Sequence, residues 1–149
     1  MNGELTASAV SAAAPPAVWE VLLDGRRWSL WNSGVEWLWF EHEPAPGSPA
    51  TIKFKRVRQT AVIVDDLVAC QRFALRLTIG PIARLRVAWK LSQTGDGTRI
   101  DAAVTIGGIA SGLLLRRPAK RLGRALPAHL ERLAAHAVEQ ELKKNARSA

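Results

Sequence analysis

The chain has 149 residues, 48% of them apolar and 23% charged, with six tryptophans, no tyrosine, one cysteine and a formal net charge of +8. A chain this long buries roughly 70% of the surface its unfolded form exposes, enough for one domain with its own core, and its scattered charges exclude a disordered polar tract. Cys70 cannot form an internal disulfide and no Cys/His cluster has metal-ligand spacing, so neither a secreted disulfide scaffold nor a metal site is expected, no cofactor is indicated, and a reducing cytoplasm is the default compartment.

Residues 3–13 are short and roughly alternating, which predicts a strand ended by Pro15 and Pro16, a pair that pre-sets the backbone for a helix start. The Ala-rich stretch 7–18 is not read as a targeting signal, because Glu4 stands where a basic region belongs and Thr6, Ser8 and Ser11 dilute the apolar run. No apolar run approaches the roughly 20 residues of a membrane span, so a soluble protein is expected. A helix of about two turns follows, with Val18 and Leu22, then Trp19 and Leu23, paired at i, i+4, and Asp24-Gly25 as its stop. Trp28, Leu30 and Trp31 mark a second short helix or turn before Gly34. From Val35 the period falls to two, with Trp37 and Trp39 on one face and Leu38 and Phe40 on the other. Pro44, Pro46, Gly47 and Pro49 form a loop, and strands are expected at 51–57, 61–65 and 72–79. Asp65 and Asp66 read as turn residues, since neighbours in a strand point to opposite faces.

The later strands allow register to be worked out by arithmetic. Phe73, Leu75, Leu77 and Ile79 share one face; so do Leu85, Val87, Trp89 and Leu91, and Ile100, Ala102, Val104 and Ile106. Aligning these rows pairs Leu91 with Ile100 and Trp89 with Ala102, leaves Gly95-Asp96 as a type II′ loop, and sets Lys90 opposite Asp101. The preceding hairpin then needs an odd-numbered connection around Gly80-Pro81, such as three residues, and places Arg76 opposite Arg86. Beyond Gly107-Gly108, Leu122, Leu126, Leu130, Leu133 and Ala137 recur at helical spacing, so a long amphipathic helix closes the chain. Pro118 falls in its opening turn, Pro127 is expected to bend or bound it, and residues 143–149 are expected to fray. No repeat or second domain is visible, so residues 1–149 read as one domain.

This element order, with Ala14, Pro15, Pro16, Val18, Trp19, Asp24 and Trp31 at the start and the closing helix at the end, resembles the SRPBCC superfamily, also called START-like or helix-grip, and within it the polyketide cyclase/dehydrase-like family of small bacterial proteins. The resemblance implies an α+β helix-grip fold: a curved seven-stranded antiparallel sheet wrapped around a long C-terminal helix, with two short helices after the first strand. It also implies a small lipophilic ligand held between sheet and helix, or, in the enzymatic branch, cyclase, aromatase or dehydratase chemistry on a polyketide-like substrate. The stretches 65–70 and 56–59 lack the Gly or Pro expected at turns, and the absence of tyrosine removes one common proton donor from any pocket mechanism.

A concave sheet crossed by one helix leaves room for a pocket. Trp31, Trp37, Phe54, Phe73, Trp89 and Leu126 are the candidate lining residues; any one of them alone reads first as plain core packing, and as a group they favour an apolar ligand. Arg56 is the one catalytic candidate: with Arg58 it shares the face of Ile52 and Phe54 and would reach a ligand carboxylate or enolate if the strand continues, but is solvated if the strand ends first. His129 and His136 stand two turns apart, roughly 10 Å, too far to share a metal, and read as the flank of the helix; His42 reads as a surface residue and Cys70 as inert. Arg116, Arg117, Lys120, Arg121 and Arg124 form a basic run, and Arg72, Arg76, Arg84, Arg86 and Lys90 a second cluster on the outer face of the sheet. These suit either a solvated face or an anionic partner such as a membrane surface or an acidic protein; no nucleic-acid motif accompanies them.

Overall fold

The computed structural model describes residues 3–79, 83–108 and 116–148. Strand β1 (Gly3–Ser11) leads into helix α1 (Pro15–Leu23) and a 3-10 helix (Gly25–Leu30), followed by β2 (Val35–Phe40), β3 (Pro49–Phe54), β4 (Gln59–Val68), β5 (Arg72–Ile79), β6 (Ala83–Gln93), β7 (Thr98–Gly107) and helix α2 (Arg116–Ser148). The seven strands form one antiparallel sheet in the order β1-β7-β6-β5-β4-β3-β2, and α2 lies against β1, β7 and α1. This is the α+β helix-grip architecture: one face of the sheet is buried under the helices and the other meets solvent.

Why these segments adopt these conformations is local chemistry. Pro15 and Pro16 occupy the first positions of α1, where a missing N–H costs nothing. Gly25 opens the 3-10 helix because an added Cβ would sit 2.1 Å from the Leu38 carbonyl oxygen, so only glycine lets this segment lie on β2. Gly97 is held the same way, 2.0 Å from the Ser11 carbonyl oxygen. Pro127 sits inside α2 with its ring exposed; the helix continues through it and on to Ser148, past the point where the tail is expected to loosen. The position four residues earlier is Gly123, where an added Cβ would come within 2.8 Å of the Leu5 side chain on β1. Pro118 falls in the first turn of α2, although its side chain and that of Arg116 lie outside the described set.

The register follows the periodicity closely. Phe73 pairs with Trp89, Leu77 with Leu85 and Ile79 with Ala83, which leaves the odd number of intervening residues, 80–82, that the aligned rows require; those three lie outside the described residues. Leu91 pairs with Ile100, Trp89 with Ala102 and Lys90 with Asp101. The turn type needs correction: Gly95 does not have a positive φ, so the Gly95-Asp96 loop is not type II′, and the turn closes with the Thr94 N–H donating to the Gly97 carbonyl at 2.9 Å. The Lys90 pairing also yields to other partners, since Asp101 accepts hydrogen bonds from Ser8 Oγ of the neighbouring strand and Arg99 Nε at 3.1 Å. These two contacts, with the charges of Arg99 and Lys90, outweigh the effect of partial burial and hold the Asp101 carboxyl below its usual range.

Two turns without glycine are resolved by residues in the left-handed conformation. Cys70 has φ 61° between β4 and β5, and Arg56 has φ 64° between β3 and β4. Each supplies the backbone geometry that glycine would adopt without steric cost. Because the chain turns at Arg56, β3 ends at Phe54, and both Arg56 and Arg58 are exposed.

The reading of Asp65 and Asp66 as turn residues is overturned. Both lie within β4, where the pairing shifts between Val64 and Asp66. This β-bulge adds one residue, so two neighbouring side chains emerge on the outer face instead of alternating. Asp65 Oδ2 then accepts from Arg86 Nε at 2.6 Å and Oδ1 lies 3.6 Å from Arg76, whose side chains stand opposite each other across β5 and β6. Asp66 accepts from Arg72 Nε at 2.8 Å, and that bond holds its carboxyl below the usual range.

Candidate functional site

The inner face of the sheet is graded from sealed to open. At one end the residues facing inward are fully covered: Phe73 and Leu75 on β5, Trp89 and Leu91 on β6, Ile100, Ala102 and Val104 on β7, and Leu126, Leu130 and Leu133 on α2. Further along the same rows, toward Ile79 at the end of β5 and Ala83 at the start of β6, Leu77, Leu85, Val87 and, on the first turns of α2, Leu122 remain only half-buried, although they pack against the core. Phe54, the last inward residue of β3, is half-buried in the same way. An apolar wall thus runs out from the sealed core and is only half-covered at its outer part.

The sealed end is an aromatic cluster. Trp28 and Trp31 stand three residues apart on and just after the 3-10 helix, a spacing that puts both on one side, and their rings lie 4.9 Å apart. Trp28 meets Trp89 edge-on at 5.3 Å, Trp89 stacks on Phe73 at 5.7 Å, and Phe73 is flanked edge-on by Phe40 and Trp19. Four of the six candidate lining residues, Trp31, Phe73, Trp89 and Leu126, therefore lie in one buried core. Phe54 stands at the half-open part. Trp37 is placed elsewhere: a register shift between Val35 and Trp37 turns Val35, Leu38 and Phe40 inward, and Trp37 lies beside Lys53 on the outer face. The neighbouring Trp39 on that face carries the Arg26 guanidinium 4.8 Å above its ring.

His129 departs from the expected helix flank. It is 3% exposed, with Nε2 accepting from the Ser33 backbone N–H at 3.2 Å and lying 3.0 Å from Ser33 Oγ. The chain that leaves the 3-10 helix folds over this part of α2 and covers it. Burial lowers the imidazole's affinity for a proton, and the nearby Arg132 charge lowers it further. His136 is the more exposed of the pair, 3.7 Å from Glu139, in an open cleft of about 360 Å³ lined also by Glu20, Asp24, Arg26, Arg27 and Gln140. His42 is exposed after β2, and Arg56 is exposed at its turn, away from the inner face.

Sequence reasoning passed over Trp28, Trp19 and Phe40 as members of the cluster; the three-residue spacing of Trp28 and Trp31 was the available signal. Nothing in the helical periodicity marked His129 as covered, because the cover comes from residues 31–34.

The basic side chains differ in setting. On the outer face of the sheet Arg72, Arg76 and Arg86 are ion-paired with Asp65 and Asp66. On α2, Arg117, Lys120, Arg121 and Arg124 are exposed in one stretch around the half-buried Leu122. Among the described residues no helix is long and apolar enough to cross a membrane.

Comparison with known proteins bears on this geometry. The family described as "Polyketide cyclase / dehydrase and lipid transport" matches residues 3–138. No curated protein matches the chain. Among solved structures, the chain is similar to the Zhui aromatase/cyclase from Streptomyces sp. R1128, with a TM-score of 0.74 at 16% identity over 94% of this chain and 96% of that one. A protein from Nitrosomonas europaea aligns with a TM-score of 0.72 at 13% identity, covering 94% and 96% of the two chains. Ara h 8.0201 aligns at 0.68 and 10% identity, covering 93% and 99%.

Proposed function

The chain belongs to the polyketide cyclase/dehydrase and lipid transport family, and from that premise we propose that it binds or carries a small lipophilic ligand against the inner face of the sheet beneath α2. The observation that supports this is the half-covered apolar wall formed by Leu77, Leu85, Val87 and Leu122. Covering the surface these side chains still expose is worth on the order of 1 kcal/mol each, a driving force with no polar partner to satisfy. Among the described residues the buried polar side chains are Ser11, Asn32, Thr98 and His129, with no carboxylate or lysine among them, which favours holding a molecule over converting one. Native mass spectrometry and thermal-shift screening with fatty acids and aromatic polyketides test the reading. Binding that disappears in Leu85→Lys supports it, and a protein that takes up no lipophile overturns it.

A second reading is cyclase or dehydratase-type chemistry on a bound polyketide-like substrate, favoured by one observation, the buried neutral imidazole of His129. Arg56, exposed at its turn, lends this reading no support. Turnover of a poly-β-keto thioester that survives in His129→Gln removes the imidazole from that role. The exposed basic stretch of α2 beside Leu122 supports contact with a membrane surface or an acidic protein, tested by salt-sensitive retention on anionic vesicles.

A further inference from the structure

Buried polar groups in this fold are, with few exceptions, satisfied. Ser11 Oγ donates to the Ala134 carbonyl at 2.8 Å, Thr98 Oγ1 to the Ala13 carbonyl at 2.8 Å, and Trp28 Nε1 to the Leu22 carbonyl at 2.8 Å. Among the described residues three buried side-chain atoms have no partner: Trp31 Nε1, Trp89 Nε1 and His129 Nδ1. All three belong to the sealed end of the inner face, where the Trp31 and Trp89 rings meet at right angles 6.3 Å apart and His129 is bonded to Ser33, two residues beyond Trp31.

The three also share a chemical sense. An indole Nε1–H can only donate. At His129 the Ser33 backbone N–H donates to Nε2, so Nε2 is the acceptor nitrogen and the proton of the neutral ring sits on Nδ1. The sealed end therefore holds three unmatched donors, all closed to solvent. A buried donor without an acceptor is costly, and a tryptophan N–H in a core ordinarily has one. What would match this set is an oxygen that accepts hydrogen bonds.

We infer that the closed end of the inner face is a subsite for a carbonyl-type oxygen of the lipophilic ligand, accepting hydrogen bonds from Trp31 and Trp89, with His129 Nδ1–H as a third donor. The inference rests on the lipophilic-ligand reading above and adds the ligand's class: an apolar body tipped by a ketone, ester or enol oxygen. Access is along β6, where Val87, half-buried, is the inward neighbour of Trp89. The apolar body lies on the Leu77, Leu85 and Val87 wall.

Two probes of equal shape separate the two claims. Decanophenone and decylbenzene differ only in a carbonyl replacing a methylene, and their affinities are read by competition with a fluorescent lipophile. The expected result is that the ketone binds about tenfold more tightly than the hydrocarbon, and that Trp31→Phe and Trp89→Phe, which keep an aromatic ring and remove the N–H, erase most of that preference while retaining hydrocarbon affinity. Equal affinities for the two probes in the unaltered protein, or a preference that persists in both variants, overturns the subsite and leaves the lipophilic-ligand reading intact. Binding of neither probe overturns both. A second measurement does not depend on the variants folding: with ¹⁵N-labelled tryptophan, the indole N–H signals of Trp31 and Trp89 shift with the ketone and not with the hydrocarbon, while Trp28, bonded to Leu22, stays in place. Signals of Trp31 and Trp89 that respond alike to both probes refute the hydrogen bond.

Discussion

Replacing Asp65 by asparagine should leave Arg76 and Arg86 facing each other across β5 and β6 without the carboxylate that now touches both. The Asp65 side chain is 25% exposed and its partners 45% and 40%, so solvent screens the interaction and the values appropriate to exposed pairs apply. Two such contacts contribute about 0.2 to 1 kcal/mol each, about 0.4 to 2 kcal/mol together, while the Arg76–Arg86 repulsion is present before and after the change. In a domain of this size that corresponds to a fall in Tm of roughly 1 to 6 °C. Thermal denaturation of the variant at low ionic strength measures it. Raising the salt to about 1 M, where the Debye length is roughly 3 Å, should shrink the difference, and adding Arg86→Gln to the Asp65→Asn background should restore most of the loss. An Asp65→Asn protein as stable as the parent at low salt, or one whose deficit is the same at high salt, would refute the argument that Asp65 holds this arginine pair together.

Two other perturbations test the core and the turns. Because the His129 proton affinity is lowered by burial and by Arg132, the unfolded chain binds more protons than the folded one once the pH drops below about 6.5, so stability should fall with decreasing pH from there; His129→Gln should flatten that part of the denaturation profile, and an unchanged slope would contradict the assignment. Relieving the left-handed conformation at Cys70 or Arg56 by glycine should gain about 0.5 to 1 kcal/mol at each site, the strain removed exceeding the extra freedom given to the unfolded chain, with urea denaturation midpoints as the measure.

How far the sequence carried the fold depends on what each element demands of it. One face of the sheet is buried, so a register slip would expose a whole row. That is why Phe73, Leu77, Trp89 and Ile100 located their partners from periodicity alone. The turn at Arg56 was illegible, and Ala69-Cys70, expected near a turn, gave no sign of its left-handed backbone, because the strained conformation is imposed by the strands on either side and not by the residue. The bulge at Asp65 left no mark because its two carboxylates look like any polar turn. The inner face divided in the same way: large apolar side chains in the right period placed Phe73, Trp89 and Leu126 in its buried core. The outward placement of Trp37, the covering of His129 by Ser33 and the set of unmatched donors depend on contacts between segments far apart in the chain.

The bulge in β4 also bears on how the sequence can change in length. Val64 pairs with Leu75 and Asp66 with Ala74, so Asp65 is the residue that has no counterpart on β5. Losing it would join two runs of β4 already in phase with the partner strand, and Val62, Val64 and Leu67 would keep their places in the core. Losing a residue from the middle of β5 would send every later side chain to the opposite face. Position 65 is thus a seam at which a chain of this fold can gain or lose a residue, paying only in the surface charge that Asp65 now neutralises.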